Sequence, residues 1–273
     1  MGRASRAVLW TALAAVFVAG GIYAARSGGA PNAGTTPAKV TSRSVRLAAQ
    51  TRVNGVPGFP RLMLAGNSIA LFLTPGFQAT GGLTVFDGAI LGCAFPPNVS
   101  AYYRNLATHT LAVSSPCHPA GEVDELAAFR PRLVVWAVSD APEPWSYEGR
   151  TLHACSSTYD ALYTSALRAE ITRLGQHGAQ VVISTEAYAR FTEPGEGVGA
   201  VAVPDRTTDC NNALRRQVAA QMHVALVDLF GYTCPHGHCL IRRDGVVLRP
   251  DGVHYSGAGA EQVAWWILGQ VLQ

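Results

Sequence analysis

The sequence predicts an α/β fold built on a doubly wound, parallel five-stranded sheet. Three observations predict it. From Pro60 onward, five short apolar runs alternate with helical patterns. Several of those runs are apolar on both faces, as strands covered by helices above and below must be. The residues best suited to chemistry fall just past the ends of the runs, where open α/β sheets carry their sites.

Each element follows from local signals. Leu62–Ala65 is a short apolar run that exits through a glycine turn, Gly66-Asn67-Ser68. Leu83–Ile90 is the second strand expected, and Gly121–Phe129 carries a helical pattern. Leu133–Val138 is the third strand. A helix over Thr158–Leu174 stops at Gly175-Gln176-His177-Gly178 and passes directly into a strand at Val181–Thr185. A helix over Asn211–Met222, a strand over Ala225–Leu229 and a closing helix over Ser256–Leu272 complete the series. Strands joined in this way take right-handed crossovers. Gly66-Asn67-Ser68, Gly92 and Ser139-Asp140 then all leave strand ends at one edge, and a loop bearing Asp251 and His254 precedes the last helix.

Apolar residues are 48% of the 273 and charged residues only 14%, so a sizeable core is available and general disorder is excluded. The net charge of +3 is small, with no basic run beyond Arg242-Arg243, which gives no footprint for nucleic acid. The N-terminus is a targeting segment. Arg3 and Arg6 precede Ala7–Ala25, nineteen residues without a charge. About 18 apolar residues can span a bilayer, whereas a signal peptide's apolar core is nearer 7–15. A signal anchor over 1–25 is therefore favoured over a cleaved signal peptide, for which Tyr23-Ala24-Ala25 is a weak cleavage site. Either way the basic flank stays in the cytoplasm and the bulk is exported. Residues 26–58, rich in Gly, Pro, Ser, Thr and Ala, read as a flexible tether, and 59–273 as the folded domain.

Six cysteines, Cys93, Cys117, Cys155, Cys210, Cys234 and Cys239, all lie in the exported part. An even number there suits up to three disulfides. The pairing expected is Cys93–Cys117, Cys155–Cys210 and Cys234–Cys239, with a mixture of bridges and buried thiols left open.

The chemistry centres on two stretches. Asp251-Gly252-Val253-His254 places a carboxylate three residues before an imidazole, just ahead of a helix. A neutral imidazole can take a proton from an alcohol and return it to a leaving group. A carboxylate on its other nitrogen fixes the tautomer and stabilises the imidazolium. Ser68, at a strand-to-helix turn, is the matching alcohol, with its own backbone N–H available to a developing oxyanion. A plainer reading makes Ser68 a helix cap and Asp251-Gly252 a surface turn, with Ser256 capping the last helix. The oxyanion needs two or three donors at about 2.7–3.1 Å. The N–H groups of Ser68 and Gly92 and a side chain at the third strand's end are the candidates.

This pattern resembles the SGNH (GDSL-type) hydrolases over about residues 60–273. Gly66-Asn67-Ser68 looks like the family's first block, Gly92 like the second-block glycine, and Asp251-Gly252-Val253-His254 like the fifth block. The stretches Ile90–Cys93 and Arg249–Tyr255 look like the SGNH domains fused to membrane O-acyltransferases that act on cell-envelope sugars. The resemblance implies a flavodoxin-like three-layer fold and ester chemistry through a triad of Ser68, His254 and Asp251. Two positions depart from it. Asn67 stands where the family has aspartate, which leaves the triad but puts that residue's loop hydrogen bonds in question. Ala137-Val138-Ser139-Asp140 stands where the family has Gly-x-Asn-Asp, so Ser139 would have to donate through its hydroxyl, with shorter reach.

Other motifs have plainer uses. Cys234-Pro235-His236-Gly237-His238-Cys239 invites zinc, but its spacing fits no standard finger and an oxidising compartment favours a bridge. Trp265 and Trp266 belong to the last helix, where one is expected to face the sheet. Trp145 and Tyr147, near the third strand's edge, read either as a wall for an apolar or sugar face of a substrate or as loop packing.

The expectation is an exported, membrane-tethered serine esterase or O-acyltransferase acting on acyl esters of a cell-envelope glycan or glycolipid. The alternative is an inactive envelope-binding or assembly module on the same fold, suggested by Asn67 and Ser139. Neither needs a cofactor or a metal.

Overall fold

A computed structural model of the protein describes residues 60–97, 100–104, 111–113, 117, 122–139, 144–190 and 203–272. The expected anchor and tether, Gly121 and Asp140 lie outside the described residues.

In chain order the elements are β1 (Arg61–Gly66), α1 (Ser68–Ala79), β2 (Thr84–Ala89), β3 (Ser100–Arg104), β4 (Leu111–Val113), α2 (Glu122–Phe129) and β5 (Leu133–Ala137). There follow β6 (Trp145–Tyr147), β7 (Arg150–Leu152), α3 (Ser157–Leu174), β8 (Gln180–Ser184), α4 (Asp205–Met222) and β9 (Ala225–Val227). The chain closes with α5 (Leu229–Thr233), the short strands β10 (Arg242–Arg243) and β11 (Val246–Val247), and α6 (Gly257–Val271). Five strands form the expected parallel sheet in the order β2-β1-β5-β8-β9.

Period-2 alternation divides the core into two layers. Leu62, Leu64, Val135, Ala137 and Val182 share one cluster with Ile69, Leu73 and Phe77 of α1 and Val263, Ile267 and Leu268 of α6. Met63, Ala65, Val134, Trp136, Val181 and Ile183 share the other with Tyr159, Tyr163 and Leu167 of α3 and Leu214 and Val218 of α4. Both faces of the inner strands are covered, which is why β1, β5 and β8 read as apolar runs, whereas the edge strand β2 carries Asp87.

Three elements differ from the sequence reading. The helix α1 has no counterpart in the sequence reading, because Pro75 and Gly76 interrupt its pattern. Gly76 is there for contact: a Cβ would run into the backbone of Ala260, so it lets α1 and α6 pack closely. The helix α4 begins at Asp205, six residues before the expected Asn211, because its first turns carry polar side chains. A second sheet, antiparallel in the order β4-β3-β6-β7, was not foreseen. Its hairpin turn, Glu148-Gly149, has φ of 49° and 74°, the left-handed pair that two-residue hairpins require.

Strand register prepares the site. Gly66 lies beside Ala89 on one side and Ala137 on the other. The segments that follow, Asn67-Ser68, Ile90–Gly92 and Val138-Ser139, therefore leave the sheet together at its carboxyl edge. Gly66 sits at φ 132°, and a Cβ there would collide with the carbonyl of Ala137. Only glycine lets the first strand turn so close to its neighbour.

Candidate active site

Ser68, His254 and Asp251 meet at that edge. The Ser68 Oγ lies 2.9 Å from His254 Nε2, across 186 positions of sequence. The other ring nitrogen, Nδ1, lies 2.6 Å from Asp251 Oδ2. The second carboxylate oxygen, Oδ1, accepts the backbone N–H of Val253 at 2.8 Å and of His254 at 2.7 Å. One oxygen thus shapes the loop while the other holds the ring. Burial would push the Asp251 carboxyl up, but the hydrogen bonds from the His254 ring and from the two backbone amides outweigh it and hold its pKa at about 2. An ionised carboxylate only accepts, so Nδ1 carries the ring proton and donates it. Nε2 then offers its lone pair to the Ser68 hydroxyl.

Ser68 is the first residue of α1, and the cap is its neighbour. Asn67 takes the capping position and accepts the Ile69 N–H at 3.2 Å. The capping reading of Ser68 is therefore corrected. Its oxygen is free for His254 because the residue before it supplies the cap, and its backbone N–H is in the first turn, where a helix offers no acceptor. Ser256 does occupy the cap position of α6, but its side chain makes no capping bond there. The Asp251-Gly252 turn does form: the Gly252 N–H donates to the Arg249 carbonyl at 3.0 Å. It coexists with the site.

The loop hydrogen bonds questioned at Asn67 are made. Its Nδ2 donates to the Ser139 carbonyl at 2.9 Å, and its Oδ1 accepts the Ser139 N–H at 3.0 Å. Ser139 is thereby fastened to the residue that precedes Ser68. Gly92 stands at the same edge, exposed in the turn after β2 at φ 71°. The next residue, Cys93, is bridged to Cys117.

Four contributors have no assigned role in the sequence reading. Phe72, one helical turn after Ser68, lays its ring against His254 with centroids 4.5 Å apart. Its spacing of four from Ser68 was the available signal. Arg249 is buried, and its Nη1 donates to the Tyr188 carbonyl at 2.8 Å. Burial pulls this guanidinium below the ordinary arginine range. The Arg190 N–H donates to the Gly252 carbonyl at 2.9 Å. These two contacts tie the Asp251 loop to the segment 188–190. Arg215, fully buried, donates to the Val138 carbonyl at 3.0 Å and to the Tyr163 hydroxyl at 2.8 Å, bracing the residue before Ser139. Arg249 enters the sequence reading only within the Arg249–Tyr255 stretch, and no short-range pattern marks Arg190 or Arg215.

Trp145 is a core residue, 1% exposed and stacked on Tyr159, so it forms no substrate wall. Tyr147 packs against the same core. Trp265 and Trp266 are half-buried against the α1–α6 layer, and Trp266 stacks on Tyr232. The cysteines pair as Cys93–Cys117, Cys155–Cys210 and Cys234–Cys239. The thiols that would have bound zinc beside His236 and His238 are consumed in the third bridge.

A family model described as the SGNH domain fused to AT3 domains matches residues 37–265. No curated protein matches the chain. Solved structures similar to it include an acetylxylan esterase from Geobacillus stearothermophilus, at 17% identity and a TM-score of 0.45 over 78% of this chain and 94% of that one. Another is a GDSL-like lipase from Bacteroides thetaiotaomicron, at 13% identity and a TM-score of 0.47 over 85% and 98%. A third is the acetyl xylan esterase AlAXEase, at 16% identity and a TM-score of 0.46 over 77% of this chain and 99% of that one.

Proposed function

The chain belongs to the SGNH domain family of the kind fused to AT3 domains and is an ester-cleaving hydrolase by that membership; from this we propose that Ser68, His254 and Asp251 carry out its chemistry as a triad. His254 Nε2 takes the Ser68 proton as Oγ attacks the acyl carbon. The tetrahedral oxyanion is held by the N–H groups of Ser68 and Gly92 and the hydroxyl of Ser139. Its collapse breaks the ester bond, and the His254 proton leaves with the alcohol. Water, or a sugar hydroxyl, then gives up a proton to His254 and attacks the acyl-Ser68, releasing the acid or a new ester.

The single observation that supports this reading is the unbroken line of contacts, 2.9 Å from Ser68 to His254 and 2.6 Å from His254 to Asp251. We propose acylated cell-envelope glycans or glycolipids as substrates. The kind of domain matched favours them, since its relatives are joined to AT3 domains. We also place the domain outside the cytoplasm, held to the membrane by residues 1–25. The uncharged run Ala7–Ala25 behind Arg3 and Arg6 favours this, as do the three bridges.

The test is p-nitrophenyl acetate turnover and fluorophosphonate labelling by the full chain, beside Ser68→Ala. Turnover and labelling that vanish in the variant are expected. Equal rates in the two proteins would overturn the triad. Incubation with an O-acetylated envelope polysaccharide, with and without an acceptor glycan, then reads the partition between free acetate and transferred ester.

A further inference from the structure

We infer that Asn67 is a positioning residue that aims the hydroxyl proton of Ser139 at the oxyanion, an inference that rests on the triad reading and deepens it.

The polarity of the Asn67 side chain is fixed at both ends. Its Oδ1 faces two backbone amides, Ile69 at 3.2 Å and Ser139 at 3.0 Å, and amides can only donate. Its Nδ2 faces the Ser139 carbonyl at 2.9 Å, which can only accept. Asn67 is 4% exposed, and each of these positions is filled by a protein partner. The amide therefore has one orientation, decided by its surroundings.

That orientation decides the next bond. The same Nδ2 lies 3.0 Å from Ser139 Oγ. A nitrogen that only donates makes the hydroxyl oxygen the acceptor. The hydroxyl proton must then point away from Asn67. The register of Gly66 beside Ala137 sets Asn67-Ser68 alongside Val138-Ser139, so this proton is released at the edge where Ser68 attacks. A backbone bond between the Asn67 N–H and the Ala137 carbonyl, at 3.4 Å, closes the same approach.

An aspartate at 67 would reverse the polarity. A carboxylate accepts only, so it would draw the Ser139 proton onto itself and remove it from the oxyanion. Its second oxygen would face the Ser139 carbonyl with no proton between them. Asn67 and Ser139 thus work as a matched couple: an amide that donates inward frees a short hydroxyl to donate outward.

The experiment is a double-variant cycle on the full chain with p-nitrophenyl acetate: wild type, Asn67→Asp, Ser139→Ala and the pair. Loss of one oxyanion donor lowers kcat by about 10²-fold where it has been measured. Each single variant is expected to lower kcat by that order with KM nearly unchanged. The pair is expected to be no slower than Ser139→Ala alone, because both changes remove the same donor. Multiplying effects, approaching about 10⁴-fold in the pair, would overturn the inference. So would full kcat in Ser139→Ala, a result that stands even if Asn67→Asp fails to fold. Wild-type turnover no greater than that of Ser68→Ala would instead sink the triad reading itself, so the two failures are distinct.

Discussion

The ring of Phe72 lies against the imidazole of His254, with centroids 4.5 Å apart and planes inclined by 30°. The two rings come from α1 and from the loop before α6. The helix that presents Ser68 therefore also supplies a rest for the imidazole that contacts Ser68. Asp251 and Ser68 hold the imidazole along its edge; Phe72 restrains it from rotating out of that line. Such ring pairs contribute about 0.5–1.5 kcal/mol beyond their buried area. Phe72→Ala is thus expected to lower kcat/KM by up to about 10-fold. Phe72 is 39% exposed, so the melting temperature should move little. Steady-state kinetics beside thermal melts check this, and Phe72→Tyr should retain wild-type rates.

Ser68 and His254 should fail together. Ser68→Ala and His254→Ala are each expected to cost about 10⁴-fold or more in kcat, and the double variant should cost no more than either, because the groups act as a unit. Asp251→Asn should cost about 10⁴-fold for a different reason. An amide N–H turned toward Nδ1 would move the ring proton to Nε2, where it blocks the Ser68 hydroxyl. Initial rates of ester hydrolysis in the four variants and the wild type measure this; additive losses in the Ser68/His254 pair would contradict it.

The Asp251 carboxylate also couples stability to pH. Its pKa is depressed from 3.8 to about 2 by bonds that exist only in the folded chain. A group depressed on folding stabilises the native state above its unfolded pKa, and that contribution fades as pH falls through the folded value. The window runs from about pH 4 down to about pH 2. Urea midpoints measured from pH 6 to pH 2 should fall more steeply there in wild type than in Asp251→Asn. The side chain is 46% exposed, so solvent screening keeps the difference small. Parallel curves would remove the linkage.

Gly66 should tolerate no side chain. Any substitution meets the Ala137 carbonyl and a φ of 132° that L residues rarely adopt. Gly66→Ala is expected to destabilise the domain by about 3 kcal/mol, which lowers the melting temperature by about 6–12 °C. It should also cost activity disproportionately, because the strain falls one residue before Asn67 and two before Ser68. Thermal unfolding and labelling of Ser68 at a temperature where the variant is folded separate the two effects.

Much of the architecture was legible because it is written in local patterns. The inner strands of the parallel sheet betray themselves as apolar runs, since both of their faces are covered. The Asp251–His254 spacing and the turn at Gly66 are short-range as well. The second sheet was not legible: strands such as β6 and β7 are three residues long, too short for a period to emerge. The length of α1 was hidden by Pro75 and Gly76, whose reason lies in α6, some 180 positions away.

The sequence by itself determined the layers of the domain, and it singled out an alcohol, an imidazole and a carboxylate, Ser68, His254 and Asp251, that leave one edge of the sheet. Only the tertiary structure decided which atom of Asn67 faces which atom of Ser139, that Phe72 rests on His254, and that Arg249, Arg190 and Arg215 brace the loops. The physical reason is range. Periodicity and turn chemistry act within a few residues and survive as patterns in one dimension. Hydrogen-bond polarity and ring contact depend on the juxtaposition of distant segments, which exists only once the sheet's register has brought them side by side.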